Sequence, residues 1–236
     1  MSRNTEAELR AKLVDAGLIL DAEGQGDFCM GHITRRTDDD PNRILMKAAA
    51  MGLEEMTPEN IVTIDIDGEK VAGDHQRHNE VYIHTEIMRA RPEIKSVVHT
   101  HAPYSVIFSS LGKEILPVGH NGSIFYGELP VFSETTNLIV TQELGKAVAG
   151  CLGDNKALLL RNHGIVTVGR TVEEAVYLAV FLENACWMQV MAEAAGGPVL
   201  VTPPEEAMAK KRISRPENQV NFFNYMVRRV RRNAAR

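Results

Sequence analysis

The stretch Lys95-Ser96-Val97-Val98-His99-Thr100-His101-Ala102-Pro103 places two histidines directly after a pair of valines. The valines predict a β-strand, on which alternate side chains leave from the same face. His99 and His101 should therefore point the same way and approach one divalent metal ion from one side. The candidate for a third imidazole is His163, in Arg161-Asn162-His163-Gly164. Three protein ligands with an open position are typical of a catalytic metal site, whereas a structural site uses four. The alternative is that these are ordinary histidines on a half-exposed strand.

Length and charge narrow the classes of protein that this chain can be. Its 236 residues are enough for one sizeable α/β domain, and no linker divides them. We therefore expect a single domain over residues 1–236, with a C-terminal helical tail from about residue 200. The net charge is −5, so no global basic field recruits nucleic acid. A basic cluster near the C-terminus is interpreted as a solvated helix end.

Cysteine usage and hydropathy indicate the compartment. The three cysteines are odd in number and far apart, which argues against a disulfide framework and for a reducing environment. No uninterrupted apolar run reaches the roughly 18 residues that span a bilayer, and the N-terminus lacks a signal-peptide core. We expect a cytoplasmic protein that contacts no membrane.

Periodicity, capping residues and turn signals predict helices and strands in mixed order. A mixed or antiparallel sheet flanked by helices follows from this order. Six helices are predicted. They are a helix that begins at the Thr5–Glu8 capping box, one over 80–91 that Asn79 caps, one over 105–111, one over 142–152, one of about 25 residues after Thr171, and one that begins near Asn221. The predicted strands cover 31–36, 43–46, 61–66, the His-x-His stretch, 157–160 and 165–168, with two more around Leu116 and Val131. The strand 61–66 is predicted to form a hairpin that returns through Lys70 and Val71.

Several of these segments together resemble the class II aldolase/adducin family. Besides the two histidine motifs, Glu80 lies 19 residues before His99. Further similar segments are Gly31-His-Ile-Thr34, Met56-Thr-Pro-Glu-Asn-Ile-Val62 and Phe125-Tyr-Gly-Glu-Leu-Pro-Val131. The resemblance covers roughly residues 8–195, and the spacing of four chemically reactive residues makes it specific.

The resemblance implies a fold, a cofactor and an assembly. It implies a three-layer αβα fold with a central, mostly antiparallel sheet, and a homotetramer with active sites between subunits. His99, His101 and His163 match the metal ligands, and Glu80 matches the acid/base carboxylate. One divalent ion per subunit is expected: zinc suits three imidazoles, and manganese or iron(II) also fits when oxygen ligands complete the shell.

This chain departs from the family where the sugar-phosphate enzymes hold phosphate. Ala49-Ala50 and His78-Asn79 stand where those enzymes have hydroxyl and glycine residues, and alanine cannot donate a side-chain hydrogen bond. A family tyrosine donor is also missing near Asn121. The remaining candidates for substrate binding are His32, Lys47, His78, Asn79 and Asn121, and the two cationic or donor groups His32 and Lys47 suit one carboxylate.

Three functions are compatible with these residues. The favoured one is a metal-dependent decarboxylase of a hydroxylated aromatic or heteroaromatic carboxylic acid. The second is an aldolase or epimerase that acts on a small hydroxy-carbonyl compound. The third is an adducin-like binding protein without chemistry, which the retention of all three histidines and Glu80 argues against.

Overall fold

An eight-stranded mixed sheet forms the centre of the computed structural model, which describes residues 4–234. The strands are β1 His32–Arg36, β2 Arg43–Met46, β3 Val62–Asp65, β4 Lys70–Ala72, β5 Ser96–Thr100, β6 Val131–Phe132, β7 Ala157–Leu160 and β8 Gly164–Gly169. Their order across the sheet is β4-β3-β2-β1-β5-β8-β7-β6. Neighbouring strands are antiparallel except for β6 and β7, which run parallel. The His-x-His strand β5 therefore lies in the middle of the sheet.

Eight α-helices surround this sheet in the described part of the chain. They are α1 Glu6–Leu20, α2 Val81–Ala90, α3 Pro103–Ser110, α4 Gly119–Phe125, α5 Gln142–Leu152, α6 Val172–Ala194, α7 Pro204–Lys210 and α8 Pro216–Ala234. A π-helical turn, Asp21–Gln25, follows α1, and a 3-10 turn, Lys211–Ile213, follows α7.

Alternating strand residues build one hydrophobic core on each face of the sheet. On β7, Ala157 and Leu159 pack on one face with α1, α3, α6 and α8, while Leu158 and Leu160 pack on the other with α2 and α5. Because side chains alternate along a strand, continuous apolar strands are needed when both faces are covered. The predicted three-layer αβα fold with a mostly antiparallel sheet is confirmed.

The helix α6 is both long and apolar. By length and composition it could cross a bilayer, although no single uninterrupted apolar run in the sequence suggests this. It packs instead against β5, β8, α3, α4 and α8, and most of its residues are buried. The helix is therefore a core element of this fold.

Two local predictions are wrong. No strand forms around Leu116, whose backbone N–H donates to the Gln189 side chain on α6 at 2.8 Å. Asn79 does not cap α2: Glu80 occupies the N-cap position and its side chain makes no capping bond, because its carboxylate faces the site described below. The short helix α4 is not among the predicted helices, whereas α7 lies within the helical tail predicted from about residue 200.

Candidate metal centre

The central strand β5 positions the first two histidines. His99 follows Val97 on the face that packs against α2, and it is fully buried. His101 lies one residue beyond the end of β5. The two rings remain neighbours, with centroids 5.2 Å apart. The strand thus directs both imidazoles to one place, as the spacing of two residues predicts.

A tight turn between β7 and β8 brings His163 to the same place. Asn162 has a φ of +56°, a left-handed conformation that asparagine tolerates better than most residues. Its backbone N–H donates to the Ser109 hydroxyl at 2.9 Å. The His163 ring centroid is 5.0 Å from that of His99 and 5.2 Å from that of His101.

Gly164 allows this close approach. A Cβ at this position would fall on the Thr100 carbonyl oxygen and lie 3.1 Å from His101 Cδ2 and 3.2 Å from His99 Cε1. A glycine here therefore lets β8 lie directly against both rings.

Glu80 completes the group from the start of α2. Its Oε1 is 3.5 Å from His163 Nε2, and its Oε2 is 3.7 Å from His99 Nε2. The backbone N–H of Ile139 also donates to Oε1 at 2.8 Å. Burial works to raise the pKa of Glu80, but the adjacent His163 and His32 imidazoles outweigh it and hold this pKa well below its usual range. The carboxylate is therefore ionised.

The donor atoms of these four residues fit one divalent ion. One ligand atom from each of Glu80, His99, His101 and His163 lies within 4.8 Å of all the others. The Nε2 atoms of the three histidines are buried and have no hydrogen-bond partner. Because buried polar atoms are almost always paired, three orphaned nitrogens that converge on one point indicate a missing common partner.

Hydrogen bonds on the far side of two rings leave Nε2 free to bind. His99 Nδ1 contacts the Ile165 carbonyl oxygen at 2.9 Å, and His101 Nδ1 contacts the Asp27 carboxylate at 2.8 Å. Each Nδ1 must carry the proton in order to donate to an oxygen, so the lone pair is on Nε2. Burial lowers the pKa of His99 to about 3, which keeps this ring neutral at pH 7. Neutral imidazoles are the form that binds metals.

A second group of histidines lies beside the first. His32 pairs with His99 across β1 and β5, and its Nε2 is 3.9 Å from Glu80 Oε2. Its Nδ1 contacts His84 Nε2 at 2.6 Å, and His84 Nδ1 contacts the Thr34 hydroxyl at 2.8 Å. Burial holds the pKa of both His32 and His84 well below the usual range. This chain fixes the orientation of the His32 ring next to the carboxylate.

A cavity of about 280 Å³ opens beside Glu80 and His101. Its walls include both apolar and polar side chains: Met30, Ala49, Ala50, Leu138, His32 and His78. Asn79 and Arg77 also line it. This volume is at the small end of the range for ligand sites and suits a compact molecule.

Lys47 lies behind this wall and is fully buried. Its ammonium group donates to the carbonyl oxygens of Cys29 and Ala48 and contacts His78 Nε2 at 3.2 Å. Burial lowers the pKa of Lys47 to about 8, and burial together with the Lys47 charge lowers the pKa of His78 to about 4. Lys47 does not line the cavity itself, but it supports His78, which does.

The predicted substrate contacts are thus only partly brought together. His32, His78 and Asn79 line the cavity, with Lys47 directly behind them. Asn121 lies on α4, which packs against α6 and α7, and it is not among the cavity-lining residues. Its role as a substrate contact stays a prediction.

Sequence reasoning missed several residues of this site. Asp27, which contacts His101, comes from an irregular segment without any motif. The Ile139 backbone N–H carries no signal in the sequence, because any non-proline residue supplies one. His84 is four residues after Glu80 and hence on one helix face with it, but only the sheet geometry shows that it contacts His32.

Comparison with known proteins identifies the family. The sequence profile of the Class II Aldolase and Adducin N-terminal domain matches residues 11–190. The chain belongs to the class II aldolase and adducin family. One relative, the Meiotically up-regulated gene 14 protein of Schizosaccharomyces pombe, is 34% identical over 174 residues, which are 73% of this chain and 68% of that protein.

Two other relatives in the family are decarboxylases by name. Decarboxylase NovR of Streptomyces niveus is 34% identical over 145 residues, which are 61% of this chain and 54% of that protein. The chain therefore matches only about half of NovR. The 3,4-dihydroxyphthalate decarboxylase of Arthrobacter keyseri is 29% identical over 219 residues, which cover 87% of each chain.

A solved structure of an aldolase in the family shares the whole fold. L-fuculose 1-phosphate aldolase from Glaciozyma antarctica PI12 superimposes with a TM-score of 0.87 at 25% sequence identity, covering 100% of this chain and 94% of that one. The class II aldolase-like fold is therefore shown by both sequence and structure.

Proposed function

We propose that this chain is a cytoplasmic, metal-dependent decarboxylase of a hydroxylated aromatic or heteroaromatic carboxylic acid. The observation that carries the proposal is the composition of the cavity next to Glu80 and the histidines. Ala49, Ala50, Met30 and Leu138 supply apolar walls on which a ring can lie. The two named decarboxylases among its relatives support the same reaction class.

The same walls argue against a phosphorylated sugar as the substrate. A phosphate dianion needs several donors for its oxygens. Neither Ala49 nor Ala50 has a side-chain donor, and the Lys47 ammonium is already engaged by backbone carbonyls and His78. Each charge-assisted hydrogen bond that is lost costs about 1.5–3 kcal/mol, so the loss of several weakens binding by orders of magnitude.

His99, His101 and His163 would hold one divalent ion: zinc, manganese or iron(II). When bound, this ion supplies a Lewis acid that stabilises the negative charge developed on the substrate as carbon dioxide leaves. The proposal assigns the other tasks to protein groups. The bond from the ring carbon to the carboxylate carbon breaks, and one proton replaces the carboxylate on the ring carbon. Because Glu80 is ionised, it first takes up a proton from the substrate hydroxyl or from solvent and then delivers it to the ring carbon, directly or through a water molecule that it orients.

Polar groups of the cavity orient the substrate carboxylate in this proposal. His32 is held in one orientation by His84, and His78 is held by Lys47. Asn79 adds an amide on the same wall. One carboxylate needs fewer donors than a phosphate, and these groups are sufficient for it.

A second candidate function is aldol cleavage or epimerisation of a small hydroxy-carbonyl compound. The fold superposition on L-fuculose 1-phosphate aldolase favours it. A binding protein without chemistry, like the adducins of this family, has no need of three buried, unpaired imidazole nitrogens around an ionised carboxylate.

We further propose that the chain forms a homotetramer, because members of its family are commonly oligomeric. Trp187 and Met191 on α6 remain 43% and 48% exposed, although the rest of this helix is largely buried. Light scattering should give a multiple of the 26.1 kDa chain mass. A stable monomer at micromolar concentration would contradict this assembly.

One product assay separates the two enzymatic candidates. The metal-loaded protein is incubated with a panel of hydroxylated aromatic acids and, in parallel, with sugar phosphates. We expect carbon dioxide from at least one aromatic acid and poor turnover of sugar phosphates. Saturable release of aldehyde from a sugar phosphate, without carbon dioxide from any acid, would favour the aldolase instead.

A further inference from the structure

Asp27 connects the metal centre to the wall of the substrate cavity. Its Oδ2 lies 2.8 Å from His101 Nδ1, on the opposite side of the ring from the orphaned Nε2. The residues that follow it, Cys29 and Met30, line the cavity. The backbone N–H of Met30 donates to the Asp27 carbonyl oxygen at 2.8 Å, which closes a turn between these residues.

The chain before this turn is firmly anchored. Gln25 is buried, its amide donates to the Ala179 carbonyl oxygen of α6 at 2.9 Å, and its Oε1 accepts from the Thr100 hydroxyl at 2.7 Å. The segment 26–30 leaves this fixed point and reaches the cavity with contacts from two other side chains. Asp27 contacts His101, and the Lys47 ammonium donates to the Cys29 and Met30 carbonyl oxygens at 3.1 and 3.5 Å. Phe28 on this segment is 90% exposed and has a φ of +49°, so its side chain contributes little packing.

We propose that Asp27 is the positioning residue for His101 and that it couples metal occupancy to the order of segment 26–30. A ligating imidazole keeps its orientation through a hydrogen bond from its other nitrogen, and a carboxylate also raises its basicity. His99 uses a backbone carbonyl for this purpose, whereas His101 lies beyond the end of β5 and uses a side chain. Asp27 thus compensates for the loss of strand support at His101.

The coupling is reciprocal because it is a free energy shared by two events. An ion on Nε2 strengthens the Nδ1–H bond to Asp27, and this bond acts together with the Lys47 contacts to hold Cys29 and Met30 in the cavity wall. Metal binding therefore orders one wall of the substrate site. The inference rests on the metal centre of the proposed function but not on the identity of its substrate.

Metal affinity of Asp27 variants tests the positioning role without any substrate. Zinc affinity is measured by competition with a chromogenic chelator for the wild type, Asp27→Ala and Asp27→Asn. We expect Asp27→Ala to bind zinc about 10- to 100-fold more weakly, the usual effect of removing such a partner. Asp27→Asn should fall between, because an amide oxygen still accepts from Nδ1–H but carries no charge.

A matched control separates this effect from a general change in charge or fold. Asp154→Asn removes an exposed carboxylate in the turn between α5 and β7 and should leave zinc affinity unchanged. Circular dichroism and thermal unfolding verify that each variant is folded. If Asp27→Ala binds zinc as tightly as the wild type, or if Asp154→Asn loses as much affinity, the positioning role is refuted.

Hydrogen exchange tests the coupling. In the wild type, zinc should slow amide exchange in residues 26–30, and in Asp27→Ala at saturating zinc this protection should be lost. Equal exchange with and without zinc in the wild type would overturn the coupling. Both measurements remain decisive if no aromatic acid is decarboxylated, so failure of the proposed substrate class and failure of this inference are distinguishable.

Discussion

Replacing Gly164 by alanine adds one methyl group at a crowded point of the candidate metal centre. The added Cβ falls on the Thr100 carbonyl oxygen and within 3.1–3.2 Å of ring atoms of His99 and His101. None of these neighbours can move without a change in the candidate metal centre, since two are proposed metal ligands and the third is the backbone between them. The substitution therefore perturbs metal binding rather than a remote part of the core.

The size of the effect follows from two opposing contributions. Overpacking by one methylene costs about 1–3 kcal/mol, while a Gly→Ala change gains about 0.4–1 kcal/mol by restricting the unfolded chain. We expect a net loss in the free energy of unfolding of about 1.3 kcal/mol, from the centres of a range of roughly 0–2.6 kcal/mol. For a chain of this size, each kcal/mol lowers the Tm by about 2–4 °C. Zinc affinity should fall tenfold or more, because two of the three proposed ligands are displaced.

Gly150→Ala is the matched control for this experiment. Gly150 lies in α5, and a Cβ there meets nothing within 4 Å. Because alanine is the better helix former, this variant should gain about 0.5–1 kcal/mol and bind zinc normally. Thermal unfolding and chelator competition are measured for both variants. If Gly164→Ala behaves like Gly150→Ala in both assays, the described packing of β8 against the histidines is refuted.

Three further predictions concern the metal, the reaction and acid stability. His99→Ala should contain well below one equivalent of metal by elemental analysis, and a full equivalent would show that the ligand assignment is wrong. With an acid that the protein decarboxylates as substrate, Glu80→Gln should lower kcat by about 10²- to 10⁴-fold. Lys47→Ala should mainly raise KM, because His78 loses its support. The reverse pattern in steady-state kinetics would contradict these roles. Burial lowers the pKa of His78 to about 4 and that of His99 to about 3, so below about pH 6.5 the unfolded chain binds more protons than the folded one. The metal-free protein should then lose up to about 1.4 kcal/mol per pH unit for each histidine as the pH falls to these values, and equal urea stability at pH 7 and pH 5 would contradict this.

Much of the fold is encoded in local patterns. The bounds of β2, α5 and β7 agree with the predicted ranges 43–46, 142–152 and 157–160. The Thr5 capping box of α1 is present in full. At the start of α6 only one bond of such a box forms: the Thr171 hydroxyl accepts from the Glu174 N–H, whereas the Glu174 carboxylate accepts from the Arg170 N–H. Such signals involve residues a few positions apart, so the sequence displays them directly.

What local patterns miss depends on contacts between distant segments. The helix α4 contains two glycines and no apolar period, and it is held by its packing on α6 and α7. The strand order places β1 beside β5, although β2, β3, β4 and α2 lie between them in the chain. An extended segment at Leu116 looks like a strand, but its backbone is bonded to a helix side chain.

The candidate site likewise combines residues that the sequence identifies with residues that only the structure reveals. The three histidines and Glu80 are identifiable because their spacing and the family resemblance point to metal chemistry. The pairing of His32 with His99 requires the sheet register, and the contact of Asp27 with His101 requires the path of an irregular segment. Residues that support a site through tertiary contacts therefore appear only in the structure.

The most direct test of the central claim is metal-dependent release of labelled carbon dioxide. Hydroxylated aromatic acids carrying ¹³C in the carboxylate are incubated with the wild type after chelation and after reloading with zinc, manganese or iron(II). We expect labelled carbon dioxide only from the reloaded protein, with one proton from solvent on the ring carbon that lost the carboxylate. Equal release from chelated and reloaded protein, or no release from any acid while a sugar phosphate is cleaved at ordinary aldolase efficiency, would contradict it.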